Sequence, residues 1–319
     1  MKRDGRIDLF RCACMAGVVL LHSLTQGGYA DSHRGLDNLM TPSVVGFVFI
    51  SGYFGITFRW NGVLKLLGVG VASFMTLVVA SGDFRSSFGI TGYWWFLWMY
   101  LVLMAFAPVV NALFDENNLG GRVMCKLVPL LLVVYIWSYA ATTIPVLKTV
   151  LPKVQGFSSF GVLTFIATYV FARASKLFEE KIRTKWLLLV AVVSGVFCWI
   201  GFYHYSSPFA LMFAGAMFYL FKRLPQHRII DVLGRIAFIL APSMFPIYLL
   251  HTNVLGFEML RMMEDYLISL GWNYYLMVFL VAAIIFSSCI VLDVPRRLVV
   301  GLLRKHKFWQ WMSWLIVIA

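Results

Sequence analysis

Charge is what this sequence has least of. Only 13% of its 319 residues are Asp, Glu, Lys or Arg, and just 14 of those are acidic, against about 25% charged in an ordinary soluble domain. That shortage excludes a water-soluble core. The chain also lacks low-complexity linkers and short segments of alternating polarity, so neither a tethered soluble module nor a transmembrane barrel is expected. Its five cysteines, Cys12, Cys14, Cys125, Cys198 and Cys289, are odd in number and lie in or beside apolar runs, so they define no disulfide framework. Cys12 and Cys14 are two residues apart and point to different sides of a helix, which makes them packing residues; no metal site is expected. What is there is apolar: 61% hydrophobic residues and a mean hydropathy of +0.82.

The apolar residues come in successive runs of roughly 17 to 23, the length needed to cross a hydrocarbon layer about 30 Å thick. The fold class expected is all-α, a polytopic integral membrane protein with about ten transmembrane helices. The spans fall near 7–26, 42–58, 62–81, 92–114, 124–144, 157–174, 186–202, 208–221, 236–255 and 274–292. The eighth is short, and the reading leaves it tilted, broken or re-entrant. The first run carries charges and has no small-residue exit site, so it reads as a retained helix rather than a cleaved signal. The net charge of +13 does not indicate nucleic acid, because the basic residues are dispersed in short loops. With both termini in the cytoplasm, only Arg34, Arg85, Lys148, Lys153 and Arg261 of the 27 Lys and Arg residues fall in outer loops, as the positive-inside rule requires. Residues 1–307 are expected to form one integral membrane domain. Residues 308–319, with Trp309, Trp311 and Trp314 beside Arg304, Lys305 and Lys307, suit an interfacial amphipathic tail.

Against this background the first span is unusual, with Arg6, Asp8 and Arg11 at its start and His22 deep within it. Eleven residues at about 100° each return Arg11 and His22 to one helix face, about 16 Å apart along the axis. Charges in a membrane cost about 2.5 to 3.5 kcal/mol on insertion scales and tend to face a watery cavity. His251, near the outer end of the ninth span behind Pro242 and Pro246, reaches a depth similar to that of His22. A neutral imidazole is the natural general base for a hydroxyl. Ser51-Gly52 in the second span puts a hydroxyl and a gap near mid-membrane, without the G-x-S-x-G elbow of a nucleophile. Tyr93-Trp94-Trp95-Phe96 opens the fourth span, and Asp293, Arg296 and Arg297 follow the tenth. Each of these also has a plainer reading: a satisfied buried histidine, a topological charge, helix packing, an interfacial aromatic belt or lipid contact.

Taken in order, Arg6-x-Asp-x-x-Arg11 with His22, Phe47-Val-Phe-Ile-Ser-Gly-Tyr53, Tyr93-Trp-Trp-Phe96, Ile247-Tyr-Leu-Leu-His251 and Asp293-x-Pro295-x-Arg297 resemble acyltransferase family 3, bacterial multi-pass membrane enzymes that O-acylate glycans. Asp293 departs from the more usual Glu, and residues 115–222 match only as apolar spans. The resemblance implies an inner-membrane O-acyltransferase that uses acyl-CoA, commonly acetyl-CoA, as co-substrate and has a cell-surface or lipid-linked carbohydrate hydroxyl as acceptor, with no resident cofactor. It implies functional roles for Arg11 and His22. Extended to residues, Arg11 and Arg6 contact the donor phosphates, His22 takes the acceptor proton, and Ser51, Tyr93 and His251 line the substrate path. A transporter or flippase for a glycan or lipid precursor would also use ten spans and internal charges, although no inverted repeat is visible. A structural scaffold would leave His22 unexplained.

Overall fold

The computed structural model describes residues 4–26, 34–82, 84, 94–114, 120–144, 146–147, 161–202 and 204–305. Those residues form helices and connecting turns, with no strand among them. Six helical segments are long and apolar enough to cross a membrane: Gly5–Gln26, Trp60–Ser81, Trp95–Leu113, Lys126–Thr143, Arg228–His251 and Tyr274–Leu302. We name the helices α1 (Gly5–Gln26), α2 (Arg34–Met40), α3 (Pro42–Phe54), α4 (Trp60–Ser81), α5 (Trp95–Leu113), α6 (Gly120–Thr143), α7 (Val162–Leu177), α8 (Thr184–Trp199), α9 (Pro208–Lys222), α10 (Arg228–Leu240), α11 (Met244–His251), α12 (Val254–Ser269) and α13 (Tyr274–Lys305). The interfacial tail expected at 308–319 lies outside the described residues.

α1 is the axis of the assembly. It packs against α2, α3, α9, α10, α11, α12 and α13, and twelve of its residues, Asp8 included, are buried. Close approach on two sides explains why small residues recur along it. A Cβ on Gly5 would sit 3.0 Å from the Gly234 carbonyl oxygen in α10, and one on Gly17 would collide with the Ser43 hydroxyl in α3.

The ends of two spans differ from the sequence expectation, and the eighth span, left open there, is resolved as unbroken. The second span is a helix only as far as Phe54, because Gly55 turns out of it at φ +80°, a conformation open to glycine at little cost. The eighth is one continuous helix, with Pro208 in its first turn and the Ser207 hydroxyl accepting from the Phe209 N–H, a sound N-terminal cap. The tenth continues past Leu292 to Lys305 despite Pro295. There Asp293 and Arg296 pair across one turn, with Arg296 Nε donating to Asp293 Oδ1 at 2.5 Å. At Pro242 the ninth span is interrupted by a 3-10 turn over Ala241–Ser243 that separates α10 from α11, while α11 runs on through Pro246.

The segment joining α11 to α13 contains a helix that the apolar pattern did not suggest. Asn253 caps α12 by accepting from the Gly256 N–H at 2.8 Å, and α12 is not one of the candidate crossings. Its Glu264 is 1% exposed, and among the described residues neither carboxylate oxygen has a hydrogen-bond partner. Burial, with Asp265 adding to it, raises this carboxyl to about 8. A group raised in the folded state holds its proton while the unfolded chain has lost it. Stability therefore declines as pH climbs from the ordinary glutamate range toward 8. Thermal unfolding in detergent across pH 4.5 to 8 should show that decline, and Glu264→Gln should flatten it.

Candidate functional site

A cavity of about 400 Å³ runs along one face of α1, with Arg11 toward one end and His22 toward the other. Met15 and Val18 lie between them, so the stripe Arg11, Met15, Val18, His22 follows helical periodicity. Facing it are α3, α5 and α11, contributing Ser51, Tyr100 and Tyr248 among others. The wall is otherwise apolar and aromatic.

At the His22 end, His22 Nδ1 lies 2.9 Å from His251 Nε2, and His251 Nδ1 lies 2.5 Å from the Ile247 carbonyl oxygen. The carbonyl can only accept, so His251 donates from Nδ1. In a neutral imidazole Nε2 is then the acceptor, and His22 must donate to it from Nδ1. The lone pair of His22 is thereby placed on Nε2. An acceptor nitrogen on a cavity-lining imidazole is what a general base requires. The order of the chain is set by α11: Ile247 and His251 are four residues apart, and His251 is 2% exposed. Phe257 of α12 packs edge-on to His22 at 5.6 Å. His251 stands behind His22 and does not itself line the cavity.

At the other end Arg11 Nη1 donates to Asp8 Oδ1 at 2.6 Å, the aspartate being fully buried and the arginine side chain 30% exposed. Asp8 anchors Arg11 against the cavity wall. Arg6 is placed differently: it donates to Asp4 and to the Leu224 carbonyl, and it does not line the cavity. Ser51 donates to the Phe47 carbonyl and shares a 3.0 Å contact with the Tyr100 hydroxyl. With its proton directed to Phe47, Ser51 accepts from Tyr100. Neither hydroxyl is activated by a base. Tyr93 lies outside the described residues. Its neighbours are fixed on the histidine helix, with Trp94 Nε1 donating to the Leu249 carbonyl and the Phe96 N–H donating to the Tyr248 hydroxyl.

The sequence reading missed the groups that shape the wall between Ser51 and α4. The Tyr169 hydroxyl accepts from the Ile56 N–H at 2.7 Å and donates to Asn111 Oδ1 at 2.8 Å, while Asn111 Nδ2 donates to the Ile56 carbonyl at 2.8 Å. Two buried-face side chains thus satisfy both polar groups of an irregular backbone segment, as an apolar environment demands. Tyr169→Phe would leave the Ile56 N–H and the Asn111 carbonyl without partners. The expected cost is about 1 to 3 kcal/mol, read as a lower unfolding midpoint in detergent, and an unchanged midpoint would show that the clamp is dispensable.

A helical membrane protein with a histidine pair at the end of an arginine-mouthed cavity is the class that these features define. A family model described as an acyltransferase domain matches residues 4–294, nearly the whole chain. The chain belongs to the acyltransferase 3 family, and it is an acyltransferase of the membrane type. No curated protein and no solved structure matches it.

Proposed function

We propose that the protein is an O-acyltransferase, most simply an O-acetyltransferase, that carries an acyl group from acyl-CoA to a hydroxyl of a cell-surface or lipid-linked carbohydrate. The observation that carries this reading is the oriented chain Ile247–His251–His22 at the cavity wall. Such a chain offers a base to a hydroxyl. His22 Nε2 takes the proton as the acceptor oxygen attacks the thioester carbonyl. The tetrahedral adduct then collapses with cleavage of the C–S bond, and CoA departs as the thiol on receiving that proton. Arg11, one N–H of which is held by Asp8, keeps further donors for the phosphates of the donor. His251 acts through His22 by setting its tautomer, and Ser51 with Tyr100 shapes the path between donor and acceptor. Arg6 is committed to Asp4 and Leu224, so donor binding rests on Arg11. Acyl-CoA is consumed as co-substrate, and no resident cofactor is assigned.

The same reading sets the protein in a bacterial inner membrane with ten crossings and both termini inside. The excess of Lys and Arg in alternate loops supports that orientation. It brings the Arg11 end of the cavity to the cytoplasm, where CoA thioesters are made.

The test follows labelled acetyl from acetyl-CoA in membranes carrying the protein, with a panel of glycan acceptors and CoA release measured in parallel. Acceptor-dependent release with label in the glycan is the expected result. If no acceptor in a broad panel prompts release, the acyl-CoA reading fails and carriage of a glycan precursor takes its place.

A further inference from the structure

Arg173 lies near the end of α7 and Lys176 in its last turn, and a positive-inside count treats both as topological charges. A topological charge needs only the aqueous boundary. Arg173 is instead half-buried, with Nη1 2.9 Å from where a Cβ of Gly55 would stand, and Gly55 lines the Arg11 end of the cavity with Phe54 and Ile56. Gly55 is suited to this position twice over. Its φ of +80° strains any other residue, and a side chain there would displace the guanidinium.

Four other cations have partners among the described residues, although Arg11 keeps further donors beyond its bond to Asp8. Lys222 is paired with Glu179 and with the Tyr53 hydroxyl. Arg223 donates to the carbonyls of Ile182 and Glu179, Arg6 to Asp4 and Arg11 to Asp8. Among the described residues Arg173 has neither a hydrogen bond nor an ion pair, and Lys176 only rests its ammonium 5.2 Å above the Tyr53 ring. The carboxylate that follows α7, Glu179, is already held by Lys222 and Tyr53. Arg173 stands directly behind the cavity-lining Gly55 and Lys176 one turn further on, and two cations without an anionic partner call for an anion. A guanidinium fork favours a phosphate, which it can grip with two parallel N–H bonds.

We propose that Arg173, with Lys176 one turn on, is the site that holds the phosphates on the adenosine side of the acyl-CoA donor. This rests on the acyl-CoA reading above and adds the residues that distinguish a full donor from a bare pantetheine thioester. Arg11 and Arg173 then grip the donor at the cavity's end while its pantetheine arm runs up the apolar wall to bring the thioester to His22.

Acetyl-CoA and S-acetylpantetheine, which lacks every phosphate, separate binding of the charged end from the chemistry. For Arg173→Gln, KM for acetyl-CoA should rise about tenfold, in line with the loss of one charge-assisted hydrogen-bonded contact, while kcat stays near wild type. The kcat/KM for S-acetylpantetheine should not change, Arg173→Lys should recover part of the loss, and Lys176→Gln should show a smaller rise. An equal loss on both donors would mean that Arg173 serves the fold, and an unchanged KM for acetyl-CoA would remove it from the site; either overturns the proposal. Should wild type use neither donor, it is the acyl-CoA reading that fails. Equilibrium binding of labelled adenosine 3′,5′-bisphosphate then decides the anion site separately. Weaker binding to Arg173→Gln sustains it, and equal binding overturns it.

Discussion

Membranes carrying His22→Ala are expected to transfer acetyl about 10²- to 10⁴-fold more slowly than wild type, the usual worth of a positioned general base. The fall should lie in kcat, because the substituted group lines the cavity at its far end from Arg11 and takes no part in gripping the donor phosphates. The unfolding midpoint should fall by no more than the loss of one neutral hydrogen bond accounts for, about 1 to 3 kcal/mol. Among the described residues the side chain's one hydrogen bond is to His251, whose Nε2 is left without a donor while its bond to the Ile247 carbonyl is kept. His251→Ala should fall between the two. It leaves the base in place and removes what fixes its tautomer. Groups that act as one unit are not additive, so the double variant should be no slower than His22→Ala alone. Transfer that survives His22→Ala at wild-type rate would move the base elsewhere in the cavity.

The second large effect concerns stability. Asp293 is 2% exposed and accepts from Ser243 Oγ at 2.7 Å and from Arg296 Nε and Nη2 at 2.5 and 2.8 Å; Arg296 Nη2 also donates to the Pro242 carbonyl at 3.2 Å. These bonds tie α13 to the 3-10 turn that separates α10 from α11. Asp293→Ala would strand a largely buried guanidinium and the Ser243 hydroxyl together. Breaking such a pair from one side costs about 3 to 5 kcal/mol, so the unfolding midpoint in detergent should drop clearly and activity should fall with it, since the turn sets the direction of α11 and of His251. Replacing both Asp293 and Arg296 by leucine should recover much of the stability. An Asp293→Ala protein that unfolds where wild type does would show that the turn is held by packing alone.

How much of this was legible beforehand follows from the range over which each feature is determined. The Arg11–His22 face could be read directly, because both residues lie on one helix and its period fixes their bearing. The common depth of His22 and His251 could be read from the two spans that carry them. Their hydrogen bond could not, since it joins residues 229 apart and depends on how two helices are rotated against each other. The break at Pro242 was written in the chain, whereas the end of α3 at Gly55 was not, because apolar residues continue through Ile56 and Phe58. Tyr100 closes an aromatic stretch that suited either an interfacial belt or a stacking wall, while Asn111 and Tyr169 gave no signal, because their partners come from other spans. The commitment of Arg6 was hidden for the same reason, its carbonyl partner being Leu224.

The contact between His22 and His251 also sets a schedule for biosynthesis. α1 is made before α11, and it carries an aspartate, an arginine and a histidine whose partner has yet to be made. At about 5 to 20 residues per second, the separation of 229 positions between the two histidines takes on the order of ten seconds or more to synthesise. The contact between the two histidines forms only once α11 has been made and packs against α1, so a chain that terminates early lacks the partner that covers this face of α1. Recognition of that exposed face would let membrane quality control tell unfinished copies from finished ones.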